Sequence, residues 1–383
     1  MQSGTTQKKR CLSGASMRIA IDARMIKSGS MHGIARYVFQ LLACFREQAT
    51  AHQIYALVNK DNPLLELSWP SHIQLICISS PWIGLREQWQ IPLFIWKYRI
   101  DLFHAPSFIA PLYCPCALVM TIHDLNHIVL RQFYTPFHQF YYHIFVKRCI
   151  RRSAFVLTVS QFSKKEILAT MGISDTKIFV TYNGVETRYQ PIQDVRQLEY
   201  VRDLYELPEK FLLCLSNNKP HKNVKTLVQA YCLSDIEIPL VLACEVDTEL
   251  IRIAASQGKK HLLYFVKFIE EIHLPAVYSL AELFVYPSTY EGFGLPPLEA
   301  LACGVPVAVS NSTSLPEVVG DAGFFLPDSS NPSLVAQALE NFLQQAPQRR
   351  LQLKSQVQKV SEKFSWKKMT QETLHLYERE IVS

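Results

Sequence analysis

The sequence alternates short, continuous apolar runs with helical stretches, and it does so in two separate series. Continuous apolar runs are typical of parallel strands, because the helices of βαβ units cover both faces of the sheet. We therefore predict an α/β protein with two Rossmann-like, doubly wound parallel-sheet domains that face a central cleft. The predicted strands are RIAID, IYALV, IQLICI, DLFHA, ALVMTIHD, FVLTVS and IFVTY in the first series, and FLLCLS, LVLAC, LLYFV, LFVYPS and VPVAVS in the second.

The domain boundaries follow from these two series. A length of 383 residues exceeds what one core usually supports. The charged helical stretch VRQLEYVRDLYELPEK separates the series, so we place one domain at 17–190 and the next at 191–364. We expect a C-terminal helix at 365–383 to pack back on the first domain. Residues 1–16 are polar and patternless, which indicates a disordered extension or a translation start at Met17.

The formal net charge is +6, and much of the excess lies in KRCIRR (147–152) and SKKE (163–166). Such clusters attract anionic lipid, nucleic acid or a phosphorylated substrate, and they fit solvated helix faces equally well. Of these partners we expect no nucleic acid.

The ten cysteines include no Cys-x-x-Cys pair, and CPC at 114–116 is too tight for a zinc ribbon. We therefore expect the thiols to be small buried residues of a protein in a reducing cytoplasm. The sequence shows no signal peptide and no apolar run long enough to span a membrane.

One segment concentrates glycine and carboxylates: YPSTYEGFGLPPLEALACGVPVAVS, residues 286–310. It is typical of a strand, a loop, a helix and the next strand, and doubly wound sheets bind ligands in such loops. We expect Glu291 in the loop, Glu299 in the first turn of the helix and Gly304 at its C-terminal cap. Carboxylates bind hydroxyls and a helix start binds phosphate, which suits a polyhydroxylated ligand. A glycine turn with a capping glutamate explains the local pattern equally well.

The same segment resembles the Glu-x7-Glu signature of glycosyltransferase family 4. Other stretches follow in the order of that family, namely IAIDARMIKSGSMHGIARYV, REQWQIP, DLFHAPSFIAP, TIHDL, TVSQFSKKEI, TYNGVE, LSNNKPHKN, LPEVVGDAG and FSWKKMTQETLHLY. The resemblance runs from about Met17 to the C-terminus. It implies the GT-B fold, an N-terminal acceptor domain, a C-terminal donor domain and a retaining transferase that uses a nucleotide sugar.

The resemblance also implies roles for single residues of the donor domain. Glu291 would contact hydroxyls of the transferred sugar, Glu299 would hold the donor ribose, and Lys222 would neutralise the donor diphosphate. The stretch SNNKPHK departs from the family pattern Gly-Thr-x-Glu-Pro-Arg-Lys, because His221 replaces an arginine. Lys219 or His221 would then provide a further phosphate contact. The expected donor-binding residues are Gly33, Lys222, Glu291, Gly292, Phe293, Gly294, Leu295 and Glu299.

In the first domain, Gly33 resembles the glycine whose amide approaches the donor phosphate across the cleft. His123 in TIHDL matches the family histidine that reaches the transferred sugar, and Asp124 is expected to brace the same loop. Glu87 and Gln88 occupy a segment that lies on the acceptor side in related mannosyltransferases. The expected catalytic residues are Glu291, His123 and Lys222.

The motifs look most like those of bacterial GDP-mannose-dependent mannosyltransferases that build the O-chains of lipopolysaccharide. This implies transfer of a hexose to a hydroxyl of a lipid-linked or oligosaccharide acceptor, by same-face displacement. No Asp-x-Asp metal site is evident, and we expect neither a metal nor a cofactor. A UDP-sugar donor and a catalytically silent sugar-nucleotide-binding or scaffold protein remain alternatives. A dinucleotide-dependent oxidoreductase is disfavoured, because no Gly-x-Gly-x-x-Gly follows the first strand.

Two aromatic and basic segments, 81–99 and 133–152, would suit peripheral contact with anionic lipid on the inner face of the plasma membrane. For any single aromatic residue in them, a core position is the simpler explanation.

Overall fold

The computed structural model describes residues 16–27, 33–48, 50–82, 84–130, 145–217, 219–353 and 355–382. Residues 1–15 of the predicted extension at 1–16, and most of the predicted lipid-facing segment at 133–152, therefore lie outside the described residues. The chain divides into two compact units. Unit 1 comprises Met1–Val159, Ser163–Tyr182 and Trp366–Ser383, and unit 2 comprises Ser160–Phe162 and Asn183–Ser365.

Unit 1 contains a seven-stranded parallel sheet in the order β3-β2-β1-β4-β5-β6-β7. Its strands are β1 (Arg18–Asp22), β2 (Gln53–Val58), β3 (Ile73–Cys77), β4 (Leu102–Ala105), β5 (Ala117–Ile122), β6 (Phe155–Thr158) and β7 (Ile178–Val180). They lie where the apolar runs predict them; β4 and β6, for example, are buried along their whole length. The helices are Ile34–Glu47, Glu87–Tyr98, Asn126–Val129, Lys147–Arg152, Gln161–Met171 (from Ser163 onward) and Trp366–Val382, with 3₁₀ turns at Pro63–Glu66 and Asp175–Lys177.

Unit 2 contains a six-stranded parallel sheet in the order β10-β9-β8-β11-β12-β13. Its strands are β8 (Leu212–Leu215), β9 (Leu240–Ala243), β10 (Leu263–Phe265), β11 (Leu283–Tyr286), β12 (Val307–Ser310) and β13 (Gly323–Leu326). Its helices are Val195–Leu204, Val224–Leu233, Thr248–Ser256, Leu274–Leu280, Leu295–Ala302, Leu315–Val319, Pro332–Leu353 and Val357–Lys363, with 3₁₀ turns at Pro220–Lys222, Lys260–Leu262 and Gly320–Ala322. The edge strand β13 was not predicted from the sequence.

Each unit has its own hydrophobic core. In unit 1, Phe103 and Met120 of the sheet pack with Ile167 of the helix Gln161–Met171. In unit 2, Leu227 and Leu339 belong to the corresponding cluster, and their two helices pack against each other. Burying one such side chain contributes about 1.5–3 kcal/mol, so each sheet is stabilised by its own helical cover.

The C-terminal helix Trp366–Val382 belongs to unit 1, where it packs against Ile34–Glu47. Tyr377 Oη lies 2.6 Å from His104 Nδ1, and His104 Nε2 lies 2.7 Å from Thr121 Oγ1. Burial lowers the pKa of His104 to about 3. The imidazole is therefore neutral, and a chain of neutral hydrogen bonds joins the last helix to the centre of the sheet.

The described cysteines are all free thiols. Burial was predicted for them, and it is confirmed for Cys149, Cys214, Cys232, Cys244 and Cys303. The prediction is wrong for Cys77, which is exposed because it ends the edge strand β3. Cys44, Cys114 and Cys116 are half-buried. Among the helices that the structure describes, none has the length and apolar character needed to cross a membrane.

Candidate functional site

The strand order of unit 2 reverses between β8 and β11, which are neighbours in the sheet. Lys222 follows β8 at the end of the 3₁₀ turn Pro220–Lys222. Glu291 follows β11 in the loop that precedes the helix Leu295–Ala302. Because β8 and β11 are parallel, both residues lie at the carboxyl edge of the sheet. Doubly wound sheets bind their ligands at this switch point.

Lys222, Glu291 and Tyr286 form one hydrogen-bonded cluster. Lys222 Nζ donates to Glu291 Oε1 at 2.6 Å and to Tyr286 Oη at 2.8 Å, and the phenol donates to the same Oε1 at 2.8 Å. Burial raises the pKa of Tyr286 well above its usual range, and the Glu291 carboxylate adds to the effect. The side chains of Lys222 and Glu291 are 15% and 14% exposed, so the ion pair is partly desolvated and still accessible to a ligand.

Serine hydroxyls hold the loop that carries Glu291. Ser314 Oγ lies 3.0 Å from the carbonyl oxygen of Glu291 and 2.9 Å from that of Phe293. Ser160 Oγ donates to the carbonyl oxygen of Gly292 at 2.7 Å. These bonds fix the backbone from Glu291 to Phe293, and a fixed backbone pre-organises the Glu291 carboxylate. The sugar-binding role of the amides of this loop stays a prediction.

Gly294 precedes the helix Leu295–Ala302 with φ 103°, a conformation that favours glycine. A Cβ atom there would lie 2.7 Å from Leu315 Cδ2, so space also requires glycine. Proline occupies the first turn of the helix, and Gly304 follows its end with φ 72°. The capping pattern predicted from the sequence is thus confirmed. The predicted donor residue Leu295 is the half-buried first residue of the helix.

Glu299 lies in the second turn of this helix, so its predicted place in the first turn is wrong. The helix begins only at Leu295, because Gly294 has a left-handed backbone conformation and cannot be part of a right-handed helix. The Glu299 side chain is buried, and its Oε2 accepts a hydrogen bond from Tyr278 Oη at 3.1 Å. The charges of Glu291 and Glu299 both raise the pKa of Tyr286. The structure therefore brings Lys222 and both glutamates into electrostatic range of one phenol.

His221 and Lys219, the two further phosphate contacts predicted, differ in their surroundings. His221 is buried, and its carbonyl oxygen accepts hydrogen bonds from the Thr289 N–H at 2.8 Å and from Ser288 Oγ at 3.1 Å. Burial and the neighbouring charge of Lys222 lower the pKa of the imidazole, so it is neutral at pH 7. Lys219 is exposed. Of these two residues, Lys219 is the one that carries a positive charge.

Gly33 and His123 belong to unit 1. Gly33 precedes the helix Ile34–Glu47 with φ 57° and ψ −116°, which residues with a Cβ atom rarely adopt. His123 follows β5, and its Nε2 lies 3.1 Å from the carbonyl oxygen of Pro106. Because a carbonyl oxygen only accepts, Nε2 carries the proton. Burial lowers the pKa of His123 to about 4, so its Nδ1 is an acceptor at neutral pH. Donor contact by either residue stays a prediction.

The predicted acceptor-side residues Glu87 and Gln88 both bind groups of their own unit. Glu87 Oε2 lies 3.2 Å from Arg24 Nη2, and the same guanidinium binds both carboxylate oxygens of Asp22, at 2.8 and 2.7 Å. Burial raises the pKa of Glu87 to about 7, against the opposing effect of Arg24. Gln88 Oε1 accepts a hydrogen bond from the Leu112 N–H at 2.8 Å. Contact of Glu87 and Gln88 with an acceptor stays a prediction. For Glu87, an acceptor hydroxyl would have to compete with Arg24 for the carboxylate.

Arg24 also lines a cavity of about 720 Å³ in unit 1, near the carboxyl ends of β1, β2 and β3. Lys27, Lys60, Asp61 and Trp82 line it as well. Trp82 Nε1 is buried without a hydrogen-bond partner among the described residues. Charged groups beside an aromatic ring with an unused donor suit a hydroxyl-rich ligand. Sequence reasoning missed this cavity, because its lining comes from loops that follow three separate strands.

Tyr286 and the loop-holding serines Ser160 and Ser314 were also missed. One sequence signal was present for Tyr286, which is the last residue of the buried run Leu-Phe-Val-Tyr. A tyrosine at the carboxyl end of a parallel strand has its polar tip near the place where ligands bind.

Known proteins similar to this chain decide the family. The family model described as Glycosyltransferase Family 4 matches residues 31–189, and the model described as Glycosyl transferases group 1 matches residues 202–360. O-antigen chain mannosyltransferase B of Escherichia coli is 30% identical over 299 residues, which cover 76% of this chain and 77% of that protein. The chain belongs to glycosyltransferase family 4. The predicted family is thereby confirmed.

A second relative of this family 4 glycosyltransferase is considerably longer. The serotype-specific mannosyltransferase WbdA of Escherichia coli is 33% identical over 267 residues, which cover 66% of this chain and 32% of WbdA. The chain therefore matches about a third of the length of WbdA.

Solved structures support the fold of this glycosyltransferase. A glycosyltransferase from Rickettsia africae ESF-5 superposes with a TM-score of 0.76, at 18% identity and over 96% of this chain and 99% of that one. At that identity the likeness concerns the fold alone. The two Rossmann-like parallel-sheet units are those of the GT-B fold, as predicted.

Proposed function

We propose that this glycosyltransferase moves mannose from GDP-mannose to a hydroxyl of a lipid-linked or oligosaccharide acceptor, with retention of the anomeric configuration. The observation that carries the proposal is the Lys222–Glu291 pair at the switch point of unit 2, with its 2.6 Å contact. The names of the Escherichia coli relatives support mannose as the sugar and O-antigen chain synthesis as the setting.

Lys222 is the proposed counter-charge for the donor diphosphate. In the free enzyme its ammonium group is paired with Glu291 and Tyr286. A bound diphosphate would give it a second anionic partner, and a fixed cation stabilises the charge that develops on the leaving group. The hydrogen bonds that Lys222 and Tyr286 donate to the Glu291 carboxylate both end on Oε1. We assign Oε2 of this residue to a hydroxyl of the transferred sugar.

The proposed reaction is a same-face displacement. The acceptor oxygen forms a bond to the anomeric carbon while the bond from that carbon to the diphosphate oxygen breaks. The acceptor proton passes to a phosphate oxygen of the leaving GDP. Catalysis then consists of positioning and of charge stabilisation by Lys222. The proposal includes neither a metal nor a cofactor, because this lysine provides the positive charge.

The acceptor is proposed to bind in unit 1, in the cavity beside Lys27, Lys60 and Trp82. The indole face suits a sugar ring, and the two lysines suit the phosphate of a lipid-linked saccharide. A lipid-linked acceptor would also place the enzyme at the inner face of the plasma membrane.

The test compares two lysines of unit 2. Lys222→Met removes the proposed counter-charge. Lys225→Met breaks a surface ion pair with Glu249, in which the lysine side chain is 55% exposed and the glutamate side chain 54% exposed. We expect Lys222→Met to lower kcat/KM for mannosyl transfer about 100- to 1,000-fold. We expect Lys225→Met to change it less than about twofold, as is usual for a surface pair.

The same assay tests the donor and the stereochemistry. We expect the enzyme to turn over GDP-mannose but neither UDP-glucose nor ADP-glucose. NMR of the product should show the same anomeric configuration as in the donor. Activity should persist in EDTA. Turnover of UDP-glucose alone would replace the proposed donor. Binding of GDP-mannose with no turnover on any acceptor would favour the silent sugar-nucleotide-binding protein.

A further inference from the structure

The helix Glu87–Tyr98 of unit 1 exposes a stripe of large apolar side chains. Leu85, just before the helix, is 84% exposed, and Trp89, Leu93 and Trp96 are 54%, 56% and 78% exposed. At 100° per residue the last three lie within about 60° of one another. We call these four residues the Trp89–Trp96 face.

The opposite side of the same helix already provides its packing. Ile91, Phe94 and Ile95 are buried in the core of unit 1. The Trp89–Trp96 face is therefore not needed to hold the helix in place. Two tryptophans and two leucines together on a surface mark an interaction site rather than scattered exposed residues.

The charged residues around this face indicate what kind of partner it binds. Arg86, Lys97 and Arg99 flank it, and all three are exposed. Glu87 is the one acidic residue between 84 and 99 in the sequence, and it is buried against Arg24. Apolar side chains with a cationic border complement an anionic surface.

We propose that the Trp89–Trp96 face docks on an anionic phospholipid bilayer, with the helix lying in the plane of the interface. Tryptophan prefers the headgroup level of a membrane, and leucine contributes apolar area just below it. Each of the three flanking cations is expected to strengthen binding to an anionic surface about fivefold. The inference deepens the proposed function, because a lipid-linked acceptor would be presented at that surface.

The experiment uses the whole chain without donor or acceptor. Binding is measured by co-sedimentation with vesicles of phosphatidylglycerol and phosphatidylethanolamine, and with vesicles of phosphatidylcholine alone. We expect binding to the anionic vesicles that weakens with salt, and little binding to phosphatidylcholine. Trp89→Ser with Trp96→Ser should weaken binding at least about tenfold. The matched control is Phe268→Ser with Ile272→Ser, two residues of unit 2 that are 66% and 67% exposed.

Circular dichroism and gel filtration establish that each variant is folded. Equal vesicle binding by wild type and the tryptophan variant would overturn the proposal, as would a wild type that does not bind. A wild-type dimer that the tryptophan variant converts to a monomer, without vesicle binding, would assign the face to a second copy instead. Transfer to a water-soluble acceptor is measured separately. An active enzyme that ignores vesicles then refutes only the lipid face, and an inactive one that binds them refutes only the proposed function.

Discussion

Replacing Glu87 with glutamine should remove a pH dependence from the stability of unit 1. In the buried cluster, one guanidinium, that of Arg24, faces the carboxylates of both Glu87 and Asp22. With both carboxylates ionised, the cluster holds an excess negative charge away from water. Protonation of Glu87 balances the charges, and burial accordingly raises its pKa from 4.5 to about 7.

The sign and the size follow from this shift. A folded-state pKa above the unfolded value contributes stability that is fully present below pH 4.5 and is lost as the pH rises through about 7. Between pH 5 and pH 8 the loss amounts to about 2.5 kcal/mol. Glutamine stays neutral at every pH and avoids this loss. The stability of Glu87→Gln relative to wild type should therefore rise by that amount over the same interval.

The assay is urea unfolding followed by tryptophan fluorescence. All five tryptophans, at positions 69, 82, 89, 96 and 366, belong to unit 1, so this signal reports unit 1 separately from unit 2. Glu66→Gln, at an exposed position of the same unit, serves as the control and should show no such trend. A stability difference between Glu87→Gln and wild type that is the same at pH 5 and pH 8 would refute the reasoning.

Three further predictions concern single side chains. Gly294→Ala should destabilise unit 2 by about 2–3 kcal/mol more than Gly258→Ala, whose Cβ would meet no atom within 4 Å. Tryptophan fluorescence does not report the unfolding of unit 2, so calorimetry is used to measure the loss of stability in both variants. Equal losses for Gly294→Ala and Gly258→Ala would contradict the steric argument. Tyr377→Phe should destabilise unit 1 by about 1–3 kcal/mol, because it removes the hydrogen bond to Nδ1 of buried His104. Unchanged urea midpoints would show that the bond contributes nothing. Tyr286→Phe should lower kcat about tenfold with the fold intact, through loss of two hydrogen bonds in the Lys222 cluster. Wild-type kcat would remove Tyr286 from the proposed mechanism.

Most strands could be predicted, because strands buried on both faces must be apolar at successive positions. The strand β13 could not, since its Gly-Phe-Phe-Leu run is short and begins with glycine. The helix start at Gly294 was predictable from its glycine and prolines. The turn that holds Glu299 was not, because it depends on the exact residue at which left-handed backbone gives way to helix.

From local patterns alone, the candidate site was predictable only where one stretch of sequence contains it; Lys222 was assigned to it through the family resemblance. Glu291 and its glycines lie together in one loop, whereas Tyr286 is 64 positions from the lysine that it binds. That contact exists because β8 and β11 are neighbours in the sheet, and strand order is not written in any local pattern. The burial of Glu87 was unforeseeable for the same reason, since its partner Arg24 is 63 positions away.

The division of the chain has a consequence for biosynthesis. Unit 1 includes Trp366–Ser383, so its last helix leaves the ribosome after every residue of unit 2 has been synthesised. Until then, His104 has no Tyr377, and the surface of Ile34–Glu47 that this helix covers faces solvent. Unit 2 can complete its folding first, while unit 1 still lacks its last helix and leaves the surface that this helix covers exposed. A fragment that stops at residue 190 should therefore be a client of chaperones rather than a stable domain.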